Sequence, residues 1–121
     1  MTFAVDVWLR GTDVATTATI DEVASEPSAW TDADVRVVLE SMLRAMDQKK
    51  RPDAADRAIA LRGLSWIVNP YEEDGTPRGV VIAIEITTGA VVAGPFDIDK
   101  AALEAMIARV LASPEVSPLV H

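Results

Sequence analysis

Nearly all the side chains able to do acid–base or metal chemistry in this chain are carboxylates. Of 121 residues, 19 are Asp or Glu, one is His and none is Cys. A thiolate nucleophile, a thiolate zinc site and a disulfide framework are therefore excluded. The sole histidine is His121, in a tail that carries Pro114 and Pro118. A general base must be held still beside its substrate, and such a tail is a poor support. Serine hydrolysis through a histidine base and histidine-based metal chemistry are not expected.

Three carboxylate groups remain. Asp97-Ile98-Asp99 has a spacing that can hold a divalent cation. Asp99 also stands just before a helical pattern, where an N-cap is needed, and capping is the expected role. Glu72-Glu73-Asp74-Gly75 lacks the alternating ligands of a calcium loop and reads as a solvated hairpin tip. Glu85 lies in GVVIAIEITTG, residues 79–89. A charge inside a run of branched apolar residues must be paired or point away from the core. Its expected partner is an arginine; an acid–base pair with Asp6 is the alternative. No phosphate-cradling glycine motif occurs. Neither catalytic residues, nor a metal site, nor a cofactor is expected.

The elements that would position these groups follow from periodicity. Residues 3–9 alternate, with Phe3, Val5, Val7 and Leu9 on one side and Asp6, Trp8 and Arg10 on the other, as in a half-buried strand. Residues 11–29 form a polar connection with room for a short strand near Thr17–Ile20. Residues 30–48 carry the helical stripe Val35, Val38, Leu39, Met42, Leu43 and Met46. Thr31 and Asp34 have capping-box spacing, Trp30 and Val35 staple spacing. Arg36, Glu40 and Arg44 are expected on the helix's outer face. The basic triplet Lys49-Lys50-Arg51 suits a helix C-terminus, and Pro52 ends it. Residues 53–61 are ambiguous between helix and strand. Three strands follow, with turns at Asp74-Gly75 and Thr88-Gly89, then a helix over 99–112 capped by Asp99. Residues 113–121 form a tail.

This predicts a single α+β domain over 1–121, in the order β-α-β-β-β-α. Its antiparallel sheet has about four strands, and two helices cover one face. Two-residue turns would pair Leu64 with Glu85 and Trp66 with Ala83, and would set Glu85 opposite Val92. Val80, Ile82, Ile84, Ile86, Ile59, Leu61, Ile67, Val91 and Ala93 then face the helices. Arg62, Leu64, Trp66, Val68, Val81, Ala83, Glu85, Thr87 and Val92 face away.

Composition limits the partners. The net charge is −8, with a basic island of +3 over residues 41–70 inside an otherwise acidic chain. Phosphate contacts need a basic surface, so nucleic acid is not an expected partner. There is no N-terminal signal pattern and no apolar run of membrane length, which points to a cytoplasmic protein without membrane contact. Arg outnumbers Lys eight to three, as in a GC-rich bacterial or phage genome. The open sheet face would hold Trp8, Arg10, Arg62, Leu64, Trp66 and Glu85, an apolar patch rimmed by charge. The expected function is non-catalytic binding of a protein partner or a second copy, as in an immunity-type or phage-type inhibitor or a dimeric chaperone-like adaptor. The alternatives are a ligand or enzyme pocket around Arg62, Trp66 and Glu85, a subunit of a larger assembly, or an open face covered by residues 11–29.

Overall fold

Seven elements carry the chain in the computed structural model, which describes residues 1–12, 14–21, 23–50, 64–87 and 89–112. They are β1 (Phe3–Leu9), β2 (Thr16–Ile20), α1 (Asp32–Lys50), β3 (Ser65–Glu73), β4 (Thr76–Ile86), β5 (Gly89–Phe96) and α2 (Lys100–Ala112). A 3-10 turn at Pro27–Ala29 leads into α1. The strands form one antiparallel sheet in the order β2-β1-β5-β4-β3. The fold is α+β. It has five strands among the described residues instead of about four, because Thr16–Ile20 pairs with β1 as an edge strand.

Both helices start where local chemistry places them. The Thr31 N–H donates to Asp34 Oδ2 at 3.0 Å, and the Asp34 N–H donates back to Thr31 Oγ1 at 3.3 Å. This reciprocal pair satisfies two of the orphan donors at the start of α1. Asp99 Oδ2 accepts the Ala102 N–H at 3.0 Å and starts α2 in the same way.

One apolar cluster joins both helices to one face of the sheet. It contains Val5, Val7, Ile82, Ile84 and Val91 from the strands, Leu39 and Met42 from α1, and Leu103 and Ile107 from α2. At one end Phe96 meets Phe3 and Trp30 edge-on, with ring centroids 5.2 and 4.9 Å apart. Such aromatic pairs add to plain area burial. The flank of α1 expected to face solvent is covered. Glu40 is buried, Arg36 and Arg44 are half-buried, and the Arg36 guanidinium reaches the Val110 carbonyl of α2 at 3.4 Å. At Arg36, packing against α2 overrides the exposed placement that the i+4 charge spacing suggested.

Two bulges decide which way the strands face. Near the hairpin tip Glu73 pairs with Thr76 and Glu72 with Pro77, but beyond it Pro70 pairs with Val80. The extra residue lies in β4 at Arg78-Gly79. Gly79 has φ +96°, and a Cβ there would lie 2.1 Å from the Phe96 carbonyl oxygen. Only glycine suits that backbone and that close approach. The bulge shifts β3 by one place, and a one-residue shift reverses every side chain of a strand. Trp66 therefore pairs with Ile84 and Val68 with Ile82 on the helix side, while Ile67 pairs with Ala83 on the far side. This corrects the faces expected for Leu64, Trp66, Val68 and Ile67. In β5, a second shift at Gly94-Pro95 turns Phe96 into the core.

The β4–β5 pairing also differs, by two places. Gly89 is the first residue of β5 and Glu85 faces Ala90 instead of Val92. A two-residue shift keeps the facing, so Glu85 stays on the side away from the helices. Arg62, Ile59, Leu61, the helix-or-strand segment 53–61 and the tail 113–121 lie outside the described residues.

Candidate functional site

The sheet face away from the helices is ordered in transverse rows. One row runs Thr17, Asp6, Val92, Ala83, Ile67. The next runs Trp8, Ala90, Glu85, Ser65. Side chains paired across antiparallel strands point to the same face, so each row is a line of neighbours. Trp8 is 37% exposed and Ile67 is 52% exposed. Between these large side chains stand Ala83 and Ala90, whose methyls leave the surface low. A hollow of about 310 Å³ lies there, lined by Ser65, Trp66, Ile67, Ala83, Ile84, Glu85 and Ala90.

The polar groups of this face differ in how they are engaged. Asp6 Oδ1 accepts the Thr17 hydroxyl at 2.7 Å. At the margin, Arg10 Nε donates to the Thr87 carbonyl at 2.8 Å, which ties the end of β1 to the β4–β5 turn. Glu85 is exposed and makes no hydrogen bond or ion pair with a described residue. Asp6 and Glu85 lie two strands and two residues apart, a backbone separation of about 12 Å. At that separation the two carboxyls do not share a proton, and Asp6 is engaged with Thr17 instead.

Of the six residues expected on this face, the structure places Trp8 and Glu85 there and Arg10 at its margin. Trp66 and Leu64 are half-buried against the core instead. Of the pocket expected around Arg62, Trp66 and Glu85, Trp66 and Glu85 both line the hollow, while Arg62 lies outside the described residues. Ile67, Ser65 and Ala90 join them there. The signal for Ile67 was Gly79, a glycine two residues past Pro77 in an otherwise β-branched strand, where a bulge is a common reason for glycine.

The described residues of the connection at 11–29 leave this face open. Its middle extends the sheet as β2, and Val23, Pro27 and Trp30 turn into the core. The Met1 ammonium donates to the Val23 carbonyl, and the Trp30 indole N–H donates to the Ser25 carbonyl at 2.9 Å, fixing the return.

On the helix side, a groove of about 690 Å³ runs between the 3-10 turn and α2, floored by Trp30, Ile98 and Met106. Two of its three charged lining residues are already engaged. Asp99 caps α2, and Arg109 holds Asp32 through Nε and Nη2, each at 2.9 Å. The hydrogen bonds from Arg109 keep the Asp32 carboxyl below its ordinary value. Among the described residues no three carboxylate or histidine side chains gather as a metal site, and no helix is long and apolar enough to cross a membrane. No protein-family model, curated protein or solved structure matches this chain.

Proposed function

We propose that this chain is a non-catalytic binding protein that takes a protein partner on the uncovered sheet face. The observation that carries this reading is the exposure of Trp8 and Ile67 on the face that bears the hollow, on a sheet whose other face is filled by two helices. Tryptophan at the middle of an apolar patch is a frequent interface anchor. A cytoplasmic inhibitor or adaptor fits the acidic composition and the carboxylate-only chemistry.

The test is capture of partners from the expressing cell by the wild-type protein and by Trp8→Glu, Ile67→Glu and Glu104→Lys. The proposal expects a discrete partner that wild type and Glu104→Lys retain and that both face variants lose, with all four proteins folded. Retention by both face variants contradicts it. So does unfolding of both, which would make these side chains core.

A further inference from the structure

The charges on this face identify the kind of partner, on the premise that the face is a binding surface. Around the hollow the charged side chains of the described strands are Asp6 and Glu85, both anionic, while Arg10 at the margin is engaged with the Thr87 carbonyl and Arg78 stands away at the β3–β4 hairpin. Asp6 already accepts the Thr17 hydroxyl, whereas Glu85 stands beside Ala83 and Ala90 with no donor from a described residue. Water solvates that carboxylate while the face is open. A partner that displaces the water must supply a donor, because a carboxylate covered by apolar surface alone is strongly disfavoured.

A second copy supplies the wrong groups. A two-fold axis sets the patch against itself, so four carboxylates meet, and the nearest described cation, Arg10, already donates to the Thr87 carbonyl. The strand spacing and the length of β1 give the face about 550 Å² per copy, a total near the low end for a stable dimer.

We infer that the face takes a cationic segment of another protein, with an arginine side chain lying over Ala83 and Ala90 and its guanidinium on Glu85. The aliphatic stem covers the apolar floor while the planar head pairs with the carboxylate. Trp8, two strands from Glu85 with Ala90 between them, offers an indole to the same cation. The net charge of −8 draws such a segment in from a distance.

The probe is an amphipathic Leu/Arg peptide of about five helical turns, titrated into the full ¹⁵N-labelled chain, with a Leu/Gln version as the uncharged control. The inference expects a monomeric free protein and peptide-induced shifts at the Ala83 and Ala90 amides and the Trp8 indole. Glu85→Lys and Glu85→Gln should weaken binding, the former by about tenfold or more. Glu104→Lys, the same charge change on α2, should weaken it less than about twofold. Equal binding of the Leu/Gln peptide at the same residues overturns the cationic partner and leaves the binding face standing. A homodimer that Trp8→Glu dissociates has the same meaning. Equal losses from the two lysine variants reduce the effect to overall charge and overturn the inference. Shifts confined to other surfaces overturn the inference and the binding face together.

Discussion

Trp8 and Glu85 lie in one transverse row of the sheet, with Ala90 between them. An indole and a carboxylate thus flank a low, apolar floor on rigid strands. Neither position depends on a loop, since both ladders that define the row continue on either side of it. In the adjacent row Gly89 packs close to β1, where a Cβ would lie 2.0 Å from the Trp8 carbonyl oxygen.

The facing of β3 has a direct thermodynamic signature. Val68 is fully buried on the helix side, whereas its neighbour Ile67 is half exposed on the other. Val68→Ala should lower stability by about 2 kcal/mol through lost burial and a residual cavity. That corresponds to a fall in Tm of about 8 °C. Ile67→Ala removes more atoms and should cost less than about 1 kcal/mol. Chemical denaturation of the two variants measures this, and the reverse ranking would mean that β3 is one place out of register.

Much of the architecture was readable because several cues agreed. At α1 the capping box, the staple and the 3.6-residue stripe all marked one start, and β1 showed clean alternation. Glu85 kept its expected face because the error at the β4–β5 turn was two residues, an even number. Trp66 changed face because the bulge at Gly79 inserts one. A single inserted residue leaves almost no trace in alternation when both faces of a strand are apolar, as in SWIV. The far face therefore retained Trp8, Glu85 and Arg10 from the expected set, exchanged Trp66 and Leu64 for Ile67 and Ser65, and left Arg62 outside the described residues.

The Gly79 bulge predicts its own sensitivity. An alanine there would adopt a strained positive φ and push its Cβ into the Phe96 carbonyl. Gly79→Ala should cost about 3 kcal/mol, more than an ordinary surface substitution. Gly75→Ala, at a hairpin tip with open space around it, should cost about 1 kcal/mol. Thermal unfolding of the pair separates the close contact from the effect of φ alone.

The link between α1 and α2 predicts a pH response. The hydrogen bonds from Arg109 hold the Asp32 carboxyl below its ordinary value of 3.8 in the folded chain. Folding therefore disfavours its protonation. The stabilisation from this pair is present above the ordinary value and is lost as pH falls through the lowered folded value. A carboxyl ¹³C titration should find Asp32 below the exposed carboxylates in wild type and back among them in Arg109→Gln. Both groups are exposed to solvent, so raised salt should narrow the difference.

Site-specific photocrosslinking in the expressing cell tests the central claim most directly. A photoreactive phenylalanine analogue replaces, one at a time, Trp8, Ile67 and, as a control on the helix side, Glu104. The account predicts a discrete heteromeric adduct from positions 8 and 67 that position 104 does not form. An adduct from position 104 alone, or none from positions 8 and 67 while the protein is folded and expressed, would contradict it.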